Sequence, residues 1–322
     1  MKAIVFERYG PPDVLELRDV EVPTPKDDQV LVRVQAASVN PIDWHRLRGQ
    51  PLFVRQSEGW RRPANVQLGA DLAGTVESVG RAVSGLRRGD EVFGMSIKTL
   101  AEYAVVSADG VAPKPARISF EQAAAVPLAA LTAVQALRRG GVEAGDSVLV
   151  NGSSGGVGTF LVQIAKALAA EVTAVCSTDN LDLVRSLGAD DVVDYTKEDF
   201  AKRATRHDVV VDTVMNRPHR SLSRATRDGG TIVLVGAAKG WTGGRPMLRL
   251  ARALIRSRIT GGKTVTFLTE RSREDLLFVK ELIESGKATS VIDRTYPLAQ
   301  TADAIRYLEQ GHVRGKVVVT TS

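Results

Sequence analysis

One cysteine, Cys176, stands in 322 residues, so no disulfide can form within the chain and no four-cysteine metal lobe can be built. Histidine is scarce too. His45, His207, His219 and His312 lack any metal-ligand spacing. Aromatic residues make up 5%, and no stretch interleaves them with basic ones, so the formal charge of +6 carries no nucleic-acid footprint. A solvated surface with some attraction for an anionic cofactor accounts for it. Long apolar runs are missing. The most apolar segment, Ala123 to Leu137, is short and carries Pro127 and Gln135, so it is no membrane span. The first residues, MKAIVFERYG, read as a strand and not as a signal peptide, which makes the cytoplasm the expected location. Cys176, at a strand end, reads as a small core residue.

The richest stretch runs from Ser147 to Thr178. An apolar run, Ser147 to Val150, meets a turn, Asn151-Gly-Ser-Ser-Gly-Gly-Val-Gly158. A helical pattern with Phe160, Leu161, Ile164 and Leu168 follows, then a second β-rich run, Val172 to Cys176. Strand, glycine turn, helix and strand together form the context that a dinucleotide fingerprint needs. Gly152 allows the tight turn, Gly155 or Gly156 leaves room for a pyrophosphate, and Gly158 lets the helix pack closely. Ser154 and Val157 lie in the same turn, whose free N–H groups would face the anion.

Around this stretch the pattern changes twice. Residues 1–120 give short strands separated by Gly, Pro and Asp clusters, which predicts a β-barrel-like module. Ser119 followed by Gln122 marks a helix start. Residues 147–236 alternate strand and helix, the mark of a doubly wound parallel sheet, with Gly229-Gly230 as the turn before its fifth strand. The segment 264–322 is expected to complete both parts: its first strand extends the parallel sheet and the rest returns to the β module. Residues 248–259 read as an amphipathic helix over a cleft or at a subunit contact.

Several motifs then converge: Ala37-Ser-Val-Asn-Pro-Ile-Asp-Trp-His45, Leu68-Gly-Ala-Asp71 running on to Gly80, and Gly89-Asp-Glu-Val-Phe-Gly94. Ala124 to Ala133, Leu187-Gly-Ala-Asp190 with Asp194-Tyr195, and Gly311-His-Val-Arg-Gly-Lys316 complete the set. Over nearly its whole length the chain resembles the zinc-independent medium-chain dehydrogenases/reductases, in their quinone oxidoreductase-like branch. That resemblance implies an α/β fold with a GroES-like β-barrel module (1–122 and 268–322) and an inserted Rossmann domain (123–267). The cofactor would lie in the cleft between them, in a homodimer. Aligned by motif, the zinc-ligand positions of metal-dependent relatives hold Asn40, Ala70 and Leu128, none of them a good zinc ligand.

The implied activity is hydride transfer from NADPH to a quinone or an α,β-unsaturated carbonyl without metal. By resemblance, Asn40 and Thr132 lie near the nicotinamide, and Asp43, Trp44 and His45 line the same cleft. His45 is a candidate general acid, with a structural histidine and a solvent proton as the alternatives. The second strand ends Ser177-Thr178 without a carboxylate before Asp179, which favours NADPH, with NADH possible. Tyr195 matches a position that contacts the 2′-phosphate. Asn180 stands where many NADPH-using relatives have lysine. Val235 and Gly236, ending the fifth strand, and Arg314 complete the cofactor candidates. Two other readings stay open: an alcohol or aldehyde oxidoreductase, and a non-catalytic NADPH-binding redox sensor or RNA binder. Between Arg46 and Arg61 the arginines are Arg46, Arg48, Arg55 and Arg61. With Trp44 and Trp60 nearby, they suggest a basic aromatic cleft, unless they face water.

Overall fold

The computed structural model describes residues 1–52, 54–235 and 263–321. The expected helix at 248–259 and Gly236 lie outside them. The chain divides into two compact units, Met1–Leu131 with Arg271–Ser285 and Ser290–Ser322, and Thr132–Glu270 with Gly286–Thr289.

The first unit is built on β3 (Gln29–Val39), whose alternation turns Val30, Val32 and Val34 into the core while Arg33 stays exposed. β3 pairs antiparallel with β4 (Asp71–Val79), β6 (Tyr103–Ser107) and β15 (Lys316–Thr320). β5 (Glu91–Met95), β7 (Val111–Pro113) and β14 (Ile292–Pro297) extend this to seven strands, in the order β14-β15-β3-β4-β5-β7 with β6 on β3. A separate hairpin-like pair joins β1 (Lys2–Val5) to β2 (Glu16–Asp19). The core packs Val32, Leu72, Val76, Val92, Val106 and Val319 among others. Each such side chain contributes about 1.5–3 kcal/mol on burial.

Helices close this unit. α1 (Pro41–Arg48) begins at Asn40 and ends at Gly49, whose φ of 58° gives the left-handed cap that glycine takes most easily. The short α2 (Val54–Glu58) follows it. α3 (Phe120–Ala124) starts as the sequence predicts: Gln122 N–H donates to Ser119 Oγ at 3.2 Å and Ser119 N–H to Gln122 Oε1 at 2.9 Å. α4 (Pro127–Gly140) comes next in the chain.

The second unit holds six parallel strands in the order β10-β9-β8-β11-β12-β13. They are β8 (Ser147–Asn151), β9 (Glu171–Cys176), β10 (Asp191–Asp194), β11 (His207–Asp212), β12 (Thr226–Leu234) and β13 (Lys263–Thr266). By first appearance this is 3-2-1-4-5-6, the doubly wound order, with its switch point between β8 and β11. The connecting helices are α5 (Gly156–Ala167), α6 (Leu181–Ser186) and α7 (His219–Ala225). β12 begins earlier than expected, but its pairing with β11 jumps from Thr226 to Thr231, so Gly229-Gly230 still interrupts the ladder. β13 extends the sheet, as anticipated. In the remaining chain, α8 (Arg273–Glu284) and α9 (Thr301–Gln310) belong to the first unit. Among the described residues, no helix is long and apolar enough to cross a membrane.

Candidate functional site

The glycine turn lies at the carboxyl end of β8. Gly152 has a φ of 85°, and both Gly152 and Ser153 donate their N–H to Val175 O at 3.1 Å, which ties the turn to β9. A Cβ on Gly158 would stand 2.1 Å from Gly152 O, so only glycine lets α5 approach the turn this closely. Gly155 differs. Its φ of −80° suits any residue, and a Cβ there would meet only Gly152 O, at 3.5 Å. Among the described residues, the space over Gly155 is therefore open. Gly155, partly exposed, caps α5. The first turn of that helix, Gly156, Val157 and Gly158, presents N–H groups without i−4 partners. Ser154 is partly exposed beside them. This arrangement can hold a pyrophosphate.

The ends of β9 and β10 lie side by side, with Cys176 opposite Asp194. Asn180 Nδ2 donates to Ser177 Oγ at 3.0 Å, so the Ser177 hydroxyl keeps its own hydrogen for a ligand. The Thr178 hydroxyl is committed elsewhere: it donates to Asp194 Oδ2 at 2.5 Å. Thr196 bonds the other oxygen through its hydroxyl (2.7 Å) and its N–H (3.0 Å). These hydroxyls, chiefly Thr178 and then Thr196, hold the Asp194 carboxyl down to about 2. The sequence shows no carboxylate at the end of its second strand, but one arrives laterally from the neighbouring strand. Lys197 Nζ, 3.4 Å from Asp194, offsets it. Tyr195 is half exposed. Val235, at the end of β12, is buried, and its N–H donates to Asp212 O at 2.9 Å.

In the first unit, Asn40 caps α1 and Asp43 and His45 lie on it, and none offers a free proton. Asp43 is fully buried. Its Oδ2 accepts from Asn40 N–H and its Oδ1 from Gly69 N–H, each at 2.8 Å. Burial pushes its carboxyl up to about 6. Asn40 donates both amide hydrogens, to Ser38 O (3.1 Å) and Asp71 Oδ2 (2.9 Å), and accepts at Oδ1 from Lys316 Nζ. His45 Nδ1 lies 2.8 Å from Gln50 O and must be the donor, because a carbonyl only accepts. Its Nε2 is then a bare acceptor, buried without a partner among the described residues, and burial lowers its pKa. Trp44 stacks on the ring at 3.7 Å. Sequence reasoning passed over Ser38, Asp71 and Lys316 as site residues, although all three stand inside its motifs.

Thr132, on α4, shares a 2.6 Å hydroxyl contact with Thr269. Arg314 is exposed, and its backbone N–H donates to Asp293 at 2.8 Å. The basic cleft is largely dissolved. Arg46 forks onto Glu58 at 2.9 and 3.2 Å, Arg48 binds Glu309, and Arg55 bonds Gly49 O while lying 4.7 Å over the Tyr9 ring. Only Arg61 of the four is left facing water.

A zinc ion would find little here. Ala70 and Leu128 offer no side-chain donor, and the Asn40 oxygen already takes an ammonium hydrogen. Leu128 enters only through its backbone N–H, 2.7 Å from Asp71 Oδ1. The residues present do not fit the metal.

Comparison with known proteins gives a consistent result. Residues 26–116 match the family described as alcohol dehydrogenase GroES-like domain, and 187–319 the one described as zinc-binding dehydrogenase. The chain is 37% identical to 2-methylene-furan-3-one reductase of Solanum lycopersicum and to a chloroplastic NADPH-dependent alkenal/one oxidoreductase of Arabidopsis thaliana. In each case the match covers 99% of this chain and 79% of the relative. Among solved structures, the quinone oxidoreductase from Coxiella burnetii superposes with a TM-score of 0.89 at 32% identity, covering 100% of this chain and 99% of that one. The Escherichia coli quinone oxidoreductase complexed with NADPH gives 0.84 at 25% identity, covering 99% and 100%.

Proposed function

The chain belongs to the medium-chain dehydrogenase/reductase superfamily, in its quinone oxidoreductase-like branch, and from that premise we propose an NADPH-dependent, metal-free reductase of quinones and α,β-unsaturated carbonyls. The observation that carries the reading is the cradle at Gly155, open among the described residues above the capped start of α5. Bound there, NADPH would supply the hydride. The first turn of α5 would hold the pyrophosphate through N–H groups and the helix dipole. The Ser177 hydroxyl, Tyr195 and Lys197 would face the 2′-phosphate, with Lys197 standing in for the lysine that Asn180 replaces.

The residues of α1 orient and do not move protons. Asn40 and Asp43 have every polar side-chain atom bonded within the protein. His45, neutral with its hydrogen on Nδ1, has none at Nε2 to give, so solvent completes the reduction. Acceptors whose new negative charge spreads onto an oxygen suit a site without a Lewis acid. A homodimer and a cytoplasmic location belong to the same proposal. The outer edge of β13, without a neighbour among the described residues, supports the first.

The test is steady-state turnover of quinones and enals with NADPH, before and after dialysis against a chelator. We expect turnover that chelation leaves unchanged. Activity lost on chelation and restored by zinc would reject the metal-free reading, and cofactor binding with no turnover of any acceptor would reject the reductase.

A further inference from the structure

A buried ion pair ends the sheet of the first unit, and the reduction makes no use of its charges. Strand register assembles it. Ser38 faces Asp71 across β3 and β4, and Val39 faces Val317 across β3 and β15. Asn40, Asp71 and Lys316 are thus brought together at one end of three adjacent strands. Asp71 Oδ2 accepts from the Ser38 hydroxyl (2.6 Å), Asn40 Nδ2 (2.9 Å) and Lys316 Nζ (2.9 Å). Its Oδ1 accepts from Leu128 N–H. Lys316 also donates to Asn40 Oδ1, which closes a triangle. Asp71 is fully enclosed and Lys316 is 5% exposed.

We propose that Lys316 is a positioning residue whose ammonium group fixes the Asn40 side chain, and through it the start of α1, against Asp71. An ammonium group only donates, so it dictates which end of the Asn40 amide faces it. A flipped amide would set NH2 against NH3+ and leave Asp71 facing an oxygen. Two apolar side chains could fill the same volume at similar stability, because burying both charges costs most of what their attraction returns. They could not orient an amide. Asn40 is in turn the residue from which α1 starts, and Asp43 binds back to its N–H. The chain of contacts therefore runs from β15 through Asn40 to the helix that carries Trp44 and His45.

The decisive variant is Lys316→Met with Asp71→Asn, which keeps volume and strands no charge. Hydrogen exchange in residues 41–48 should accelerate by about tenfold or more while β8 and β11 stay protected. The kinetic arm, which alone rests on the reductase reading, should show kcat reduced about 10- to 100-fold, as for small misplacements near a reacting centre. The KM for NADPH should hold within about twofold, because the cradle is untouched. Wild-type exchange in α1 together with wild-type kcat would overturn the proposal and leave Lys316 as a mere charge partner. Asn40→Ala cuts the same link with the ion pair intact. Should the double variant fail to fold, unchanged exchange in Asn40→Ala would overturn it equally. Exchange needs no substrate, so a wild-type chain inactive on every acceptor would reject the reductase and still leave this question decided.

Discussion

Asp43 and Asp194 carry the same carboxyl group into opposite surroundings. Burial raises Asp43 to about 6, while the hydroxyls of Thr178 and Thr196 hold Asp194 at about 2. For Asp43 the folded value exceeds the free value of about 3.9, so the folded state keeps a proton that the unfolded chain releases. Stability should then fall as pH rises from about 4 to 6, by roughly 3 kcal/mol from this group. Urea unfolding at pH 4.5 and 7 should show wild type losing more stability than Asp43→Asn, and equal losses would contradict the shift. Beside Asp194, an added cation should favour the phosphorylated cofactor. Asn180→Lys should raise the NADPH-to-NADH ratio of kcat/KM about fivefold, the worth of an ion pair of about 1 kcal/mol. An unchanged ratio would mean that Lys197 already meets the need or that the phosphate lies elsewhere. The Ser177-Thr178 end of β9 was legible in the sequence. Asp194 was not legible as its neighbour, because strand adjacency cannot be read along one strand.

Helices divide by how they announce themselves. α5 was legible because its apolar residues recur at helical spacing after a glycine turn. α1 was not expected as a helix. Its apolar residues, Ile42, Trp44 and Leu47, make no stripe, and Ile42 is exposed. Its signature lies in its capping: Asn40 before the helix, Pro41 at the first position and Asp43 at the third. The two glycines of the α5 turn make a test at this scale. Gly158→Ala drives a Cβ against Gly152 O and should cost about 1–3 kcal/mol of stability. Gly155→Leu should melt like wild type yet bind NADPH at least about tenfold more weakly, the loss of roughly one charge-assisted hydrogen bond. Calorimetry with a cofactor titration separates the two. If Gly155→Leu binds normally, the pyrophosphate does not sit there.

For the molecule as a whole, the doubly wound sheet followed from alternating periodicity, and the β module from short strands and turns. The sequence was less informative about which strands meet. β3 pairs with three others, and one of them, β15, lies more than two hundred residues along the chain. The six-stranded sheet ends at β13, whose outer edge has no neighbour among the described residues. An edge strand of this kind pairs readily with its own copy. Sedimentation should therefore give a dimer at concentrations where a compact monomer would be easily distinguished, and a monomer throughout would reject the arrangement. The late position of Lys316 also sets an order of assembly on the ribosome. Ser38, Asn40 and Asp71 are made first, and their cation follows 245 residues after Asp71. Until β15 arrives, Asp71 lacks its Lys316 partner and β3 has an open side, so the first unit closes only after all six strands of the second have been made.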